Sequence, residues 1–393
     1  MNTKSNLQPS GFFLIRANSC VFVARVLIGL LVSASCLPPA LALEFSGQYT
    51  NLLFETRDSL KQDRTTDLNR LRLEVDGDYG HVRFHLAYDH ELLWGGLVAD
   101  PVLAAALRQP EPTWLDASAT IIRRTHVNWR HDLYRGWVEY EAGQVRVKLG
   151  RQRIAWGSGR IWNPTDRFNP VQPTALESDQ KLGVDAGRIE WNYAGNGSLI
   201  AVAAPAQTSS RTSRKLALRW QDTFGEFDLA LMAGRINNEN MFGVDVTGNL
   251  GDAGVRLEWM QARNPLEGGY GQLSAGIDYT WQQAWFPNGL YMALEYFYNG
   301  AAASPRLNQD RLNSRSKHLL GGMLGYDLTP LWRVDLLLIA DLQQSGWFIS
   351  PSLTWSADEN VDISFFAQLP QGGGSSEFAV FEPLYAVRAD WYF

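Results

Sequence analysis

The residues best equipped for chemistry lie between Leu149 and Pro170, where the chain reads LGRQRIAWGSGRIWNPTDRFNP. Arg151, Arg153, Arg160 and Arg167 are cations at any physiological pH, Asp166 is the one acid among them, and Trp156 sits at their centre. Gly157 and Gly159 allow sharp turning, while Asn163-Pro164 and Asn169-Pro170 read as paired stiff turns. A rigid loop carrying arginines attracts anions. Whether it narrows a water-filled passage or lies at a rim, binding lipopolysaccharide phosphates, depends on the elements that hold it.

Immediately upstream, Arg146 and Lys148 alternate with Val145, Val147 and Leu149, as on a strand with one polar and one apolar face. Arg151 and Arg153 then fall on the apolar parity. An arginine facing lipid at mid-membrane costs about 2–4 kcal/mol. So either the strand has already left the apolar band there, or Gly150 is a bulge that turns the register inward. The bulge is the favoured expectation, and it aligns Arg146, Lys148, Arg151 and Arg153 as a basic ladder.

The same alternation recurs along the chain. Leu71, Leu73 and Val75 alternate with Arg72, Glu74 and Asp76, and a turn at Asp78-Tyr79-Gly80 leads to Val82, Phe84, Leu86 and Tyr88. Further hairpins centre on Glu141 to Gln144, Gly195 to Gly197, Thr223 to Gly225, Gly251 to Gly254, Pro287 to Gly289, Thr329-Pro330 and Asp358 to Asn360. With a first and a last strand these predict an all-β, closed antiparallel transmembrane barrel of about 18 strands, 16 being the other even count that fits. Short turns are expected on the periplasmic side. Longer extracellular links are expected over 57–66, 94–125, 157–182, 206–213, 300–316 and 369–382, with DPVLAAALR from Asp100 a capped lid helix.

In hydrocarbon an unpaired backbone amide costs several kcal/mol, so a spanning sheet must close. Closure at this size leaves an interior too wide for side chains to fill. The polar faces must then line water. Their charges, including Arg72, Arg83, Arg188 and Arg256 against Glu74, Asp89, Glu190 and Glu258, are expected mainly to pair across strands.

Two features fit a lipid boundary. Trp191, Trp220, Trp281, Trp332, Trp355 and Trp391 each stand near a short turn or the C-terminus on the apolar side, an interfacial girdle. The last strand alternates Tyr385, Val387, Ala389, Trp391 and Phe393 with polar residues, and Phe393 resembles the C-terminal assembly signal of bacterial outer-membrane barrels.

Residues 1–42 read as a signal peptide, with Lys4, Arg16 and Arg25 ahead of or beside the apolar run VLIGLLV and an Ala40-Leu41-Ala42 cleavage site; 43–393 form the barrel. Both cysteines, Cys20 and Cys36, lie in that leader, so disulfides and cysteine chemistry are excluded from the mature chain, and Ser33 spoils a lipobox at Cys36. Of 35 basic residues three leave with the leader, and 32 against 41 acidic ones gives −9. That excludes a general nucleic-acid binder. None of His81, His85, His90, His126, His131 and His318 belongs to a nucleophile or His-Glu-x-x-His motif, so the chain is not read as an enzyme, and no cofactor is expected.

The segment from Leu149 to Pro170, with KLGVDAGRIEW from Lys181 to Trp191, resembles a shared segment of porin-like bacterial outer-membrane barrels, and its GRQ-x-x-x-WG core is similar to that of alginate-export-type barrels. The resemblance implies an outer-membrane channel with an Arg-rich loop in or near the lumen, and makes Arg151, Arg153, Trp156, Arg160 and Arg167 its candidate residues. The expected function is passive diffusion of small polar or anionic solutes. The alternatives are a sleeve or scaffold in an envelope complex, such as a porin-cytochrome conduit around a multihaem cytochrome or beside a periplasmic partner, and a polysaccharide exporter. Outer-membrane lipids, lipopolysaccharide and the barrel-assembly machinery are the other expected partners.

Overall fold

A computed structural model describes residues 42–108, 113–178, 180–181, 183–193, 195–208, 211–265, 268–302 and 311–393. The leader reading covers 1–42, of which 1–41 lie outside the described residues and Ala42 is the first residue of β1. The strands are β1 (Ala42–Arg57), β2 (Asp63–Tyr79), β3 (Val82–Gly95), β4 (Ser118–Arg124), β5 (Val127–Ala142), β6 (Val145–Gln152), β7 (Val184–Asn192), β8 (Ser198–Thr208), β9 (Arg211–Phe224), β10 (Phe227–Ile236), β11 (Glu239–Leu250), β12 (Ala253–Asn264), β13 (Gly268–Gln283), β14 (Phe286–Asn299), β15 (His318–Thr329), β16 (Trp332–Asp341), β17 (Gly346–Asp358), β18 (Val361–Gln371) and β19 (Leu384–Tyr392). One short helix, α1 (Pro101–Ala106), lies between β3 and β4.

Each strand pairs antiparallel with its neighbours, and β1 also pairs with β19 from Gln48↔Tyr392 to Thr56↔Leu384, so the sheet closes. Phe393 extends the seam: its N–H donates to the Gly47 carbonyl at 3.0 Å and its carbonyl accepts from the Gly47 N–H at 2.8 Å. A Cβ on Gly47 would sit 2.6 Å from the Phe393 ring, so a glycine is required there. Closure leaves no bare edge to face hydrocarbon.

The wall is an 18-stranded barrel with β4 as an extra strand. β5 is paired along its full length with β3, but on its other edge β6 reaches only Gly136 and β4 covers 127–132. The reason is that β6 leaves the wall after Gln152. Alternation alone does not disclose β4, because a strand that patches half an edge has no hairpin partner of its own.

The outer face carries an apolar belt that includes Leu53, Val138, Leu149, Leu216, Leu257 and Leu294, all between 44% and 60% exposed. Such a face suits lipid rather than water. The chain is therefore an integral membrane barrel of the outer-membrane type. No described helix is long and apolar enough to cross a membrane.

Three expectations about the links need correction. β8 and β9 stay paired through Thr208↔Arg211, so 206–213 is not a long link; the ladder continues past the apolar band because a hairpin in water still pairs its backbone. The turn between β13 and β14 falls at 284–285, and Pro287 to Gly289 sit in an irregular stretch of β14 where the register shifts. β4 lies inside the long link expected over 94–125. In that link Asp100 caps α1 as the sequence predicts, accepting from the N–H groups of Val102 at 2.9 Å and Leu103 at 3.1 Å.

Candidate functional site: a loop across the lumen

Between β6 and β7 the chain crosses the inside of the barrel. Residues 153–169 reach the inner wall from β7 to β17, and Glu177 and Gln180 return to Arg70 and Arg72 of β2 before β7 begins. Apolar side chains drive the docking. Ile154, Trp156 and Phe168 pack with inward residues of β7–β12, among them Ile200, Val202, Ala217 and Met232, in one buried cluster. Ile161 and Trp162 join Phe297, Leu319, Ile339 and Phe348 in a second. The Trp156 and Phe168 rings meet edge-on at 5.1 Å, and Trp162 stacks on Phe297 at 5.3 Å.

Loop polar groups find wall partners. Glu258 Oε1 accepts from the N–H groups of Ser158 at 2.8 Å and Gly159 at 2.7 Å, and its Oε2 accepts from Thr165 N–H at 3.2 Å and Thr165 Oγ1 at 2.6 Å. Glu295 Oε2 accepts from the N–H groups of Arg160 at 2.8 Å and Ile161 at 3.3 Å, and Oε1 from Trp162 N–H at 2.7 Å. The backbone comes this close because the turns lack side chains: a Cβ on Gly157 would lie 2.7 Å from Glu258 Oε2, and Gly157 holds φ +104°. On the return, Glu177 takes both terminal nitrogens of Arg70 at 2.8 Å each.

The eight residues singled out from sequence fall into three groups. Arg151, Trp156, Asp166 and Arg167 are buried, at 2%, 4%, 4% and 0% exposure. Arg167 pairs with Glu239 at 2.6 Å, beside Tyr270. Asp166 Oδ1 accepts from Phe168 and Asn169 N–H at 3.1 and 2.9 Å, and burial pushes its carboxyl up to about 7. These four position the loop and do not present their polar atoms to open lumen. Arg146 and Lys148 are wall cations on the inner face, tied to Glu139 at 3.7 and 2.8 Å, with Lys148 also over the Trp137 ring.

Arg153 and Arg160 form the third group. Both are exposed. Arg160 lies 3.4 Å from Asp278, a carboxylate that Arg256 also holds, and over the Tyr291 ring at 5.9 Å. Arg153 has no ion pair or hydrogen bond among the described residues.

No bulge occurs at Gly150, and the expected four-residue ladder is not formed. β6 pairs without a register shift from Val145 to Arg151 with β5, and on to Gln152 with β7. Arg151 thus keeps the Leu149 side, and it is covered there because the gap above β6 is filled. Its Nε meets Asp185 at 2.8 Å, and its Nη1 donates to the Leu133 carbonyl at 2.7 Å, at the edge β6 has vacated. Gly150 is needed for another reason: at φ +121° a Cβ would sit 2.2 Å from the Gly136 carbonyl.

The bulge is in β5. Ala87 pairs with Arg135 but Tyr88 with Leu133, leaving Tyr134 extra. Tyr134 lies between two guanidinium groups, with Arg72 at 3.4 Å and Arg135 at 4.1 Å from its ring centroid. Arg135 is 7% exposed and donates only to the Tyr134 and Lys181 carbonyls, with Arg153 in electrostatic reach. Lys181 makes no ion pair among the described residues, and burial lowers its pKa. Arg135 and Lys181 were not found from sequence. Arg135 was concealed by the bulge that places two successive side chains inward.

One group of described residues is close enough to hold a metal ion: Glu74, Asp76 and His85, whose donor atoms lie within 4.8 Å of one another. His85 Nδ1 is already 2.8 Å from Asp76 Oδ1, and its ring stacks on Trp137. The six tryptophans stand at the short-turn end. Trp191 and Trp220 flank Leu199 in register, Trp332 stacks on Trp355 at 5.4 Å, and Trp191, Trp281 and Trp391 are 47%, 39% and 51% exposed.

A closed barrel with a loop folded into its lumen has the architecture of porins, and solved porins are what the chain is similar to in shape. A BenF-like porin from Pseudomonas fluorescens Pf-5 aligns with TM-score 0.58 at 10% identity, over 89% of this chain and 98% of that one. OccK2 (OpdF) of Pseudomonas aeruginosa, solved with glucuronate, gives 0.57 at 11% over 89% and 98%. OpdK of Pseudomonas aeruginosa, solved with vanillate, gives 0.56 at 8% over 89% and 98%. No protein-family model and no curated sequence matches this chain. At such identities the likeness defines the fold. The alginate-export resemblance of the loop motif has no counterpart among these matches.

Proposed function

We propose that this protein is an outer-membrane channel for passive diffusion of small anionic solutes, with selectivity set where the loop crosses the lumen. The observation that carries the reading is a local surplus of positive charge. Most lumen cations face a carboxylate, as Arg72 does Asp89 and Lys148 does Glu139. Arg153, Arg135 and Lys181 make no ion pair among the described residues, with Asp166 in electrostatic reach of Arg153 and Lys181 and Asp89 in reach of Arg135, and Arg160 shares Asp278 with Arg256. A passing anion meets more cations than acids beside low-dielectric walls, where their attraction is least screened.

The selective residues in this reading are Arg153 and Arg160 from the loop, with Arg135 and Lys181 behind them; Arg151 and Arg167 hold the loop in place. Glucuronate and vanillate, in the two complexes above, are both carboxylates, which favours that class here. A crossing loop also favours small solutes over a lumen that sleeves a cytochrome or threads a polysaccharide. Tryptophans at one end of the outer face suit an interfacial girdle, and Phe393 at the closing seam suits an assembly signal.

The test is reversal potential across a planar bilayer under a salt gradient. Wild type should favour the anion, and Arg153→Ala and Arg160→Ala should each move the potential toward zero with the barrel intact. A wild-type barrel that does not conduct would overturn the channel reading.

A further inference from the structure

Glu258 and Glu295 are 0% and 2% exposed inside a water-lined barrel, and neither forms an ion pair among the described residues. A buried carboxylate needs compensation of several kcal/mol. Here it comes mainly from loop backbone, joined by the Thr165 hydroxyl on Glu258 at 2.6 Å and the Ser274 hydroxyl on Glu295 at 2.8 Å. Ser158, Gly159 and Thr165 turn their N–H groups onto Glu258, and Arg160, Ile161 and Trp162 turn theirs onto Glu295. Consecutive amides converging on one anion form a nest. The loop therefore contains two nests side by side, and the wall fills both.

We propose that Glu258 and Glu295 are latches that fix segment 157–165 across the lumen, so that the passage width is set by two wall residues acting through backbone amides. Its flanks have independent anchors. Ile154 and Trp156 are buried on one side and Arg167 is paired with Glu239 on the other. Between them, Pro164 has no N–H, and among the described residues the amides of 158–162 and 165 have no acceptor but these glutamates. Emptying the nests strands six amides that then favour water. The packing of Ile161 and Trp162, with the Ser158 hydroxyl on Asp245 and Arg160 near Asp278, must then hold the segment.

The dependence is reciprocal and chemically specific. A nest emptied by truncation to Ala remains an anion site, so a small free carboxylate can enter and restore the contact. A loss of wall packing could not be repaired that way.

The experiment is hydrogen exchange read by mass spectrometry on peptides spanning 157–167 of the folded barrel, for wild type, Glu258→Ala, Glu295→Ala and the double variant, with and without formate. Barrel folding is followed by heat-modifiable gel migration. The segment should be protected in wild type, exchange about tenfold faster in the double variant, and regain protection with formate but not with chloride at equal ionic strength. Glu258→Gln and Glu295→Gln, which keep volume and one acceptor, should be intermediate and serve if the Ala variants do not fold. Unchanged protection in the variants, or acceleration that formate leaves untouched, overturns the latch.

The consequence for conduction, a larger and noisier open level in the double variant, rests on the channel reading. Exchange does not. A silent wild type with formate-sensitive exchange would refute the channel and keep the latch.

Discussion

At the scale of single residues, the loop's arginines divide by what surrounds them. Arg151 and Arg167 are inside the packing, each against a buried carboxylate. Removing one partner of such a pair leaves an uncompensated charge and costs about 3–5 kcal/mol. Arg151→Ala and Arg167→Ala should therefore lower the barrel's melting temperature in urea and gel-migration assays, while Arg153→Ala should leave it unchanged. Asp166 gives the pH-dependent case. Burial lifts its folded pKa above the unfolded value, so the folded state binds the extra proton and wild-type stability declines as pH rises from the ordinary carboxylate range to about 7. Asp166→Asn keeps the acceptor for Phe168 and Asn169 and cannot ionise. It should overtake wild type in stability as pH rises through that window, and show no advantage below it. The arginine cluster was legible in sequence because its residue types and turn signals are local. Which of its members would be buried was not, since that depends on Asp185 and Glu239 in other strands.

At the scale of elements, strand order, the hairpin turns other than the one between β13 and β14, and the inward parity of Arg146 and Lys148 followed from alternation. The docking surface for the loop left a trace that alternation overrides. β8 reads Leu-Ile-Ala-Val-Ala-Ala over 199–204, and β10 reads Leu-Ala-Leu-Met-Ala over 229–233, apolar on both faces. A strand that is apolar on both sides is covered on both sides. The outward set meets lipid and the inward set meets Ile154, Trp156 and Phe168. By contrast β4 and the Tyr134 bulge had no such trace, because each answers to β6 leaving the wall at Gln152. Helix α1 depends on Asp100, whose hydrogen bonds from Ser59, Leu103 and Val102 hold its carboxyl below the ordinary range. Its stabilising effect is present above the unfolded pKa and lost as pH falls through the folded one. Asp100→Ala should cost about 1 kcal/mol of local stability, seen as faster exchange at 101–107 from neutral pH down to about pH 5, with the difference vanishing in stronger acid.

At the scale of the whole molecule, closure, an apolar belt and a loop-crossed lumen describe a wall with a restricted passage. Phe393 ends the seam, where its ring covers Gly47 and lies 5.0 Å from Trp391. Phe393→Ala should reduce the yield of folded barrel in the outer membrane more than it reduces the stability of barrels already formed, read by heat-modifiable migration of membrane fractions against refolded protein. Overall charge gave no guide to ion preference: the full sequence carries a formal net charge of −6, yet the charges left without an ion pair beside the loop are basic. Only the folded arrangement separates paired charge from free charge.

The most direct test is the zero-current potential of single wild-type channels in a potassium chloride gradient, beside Arg153→Ala/Arg160→Ala. The account predicts an ohmic channel that prefers chloride, and a double variant of similar stability whose preference is weakened or lost. A cation-preferring wild type, or a preference that the double variant leaves unchanged, would contradict it.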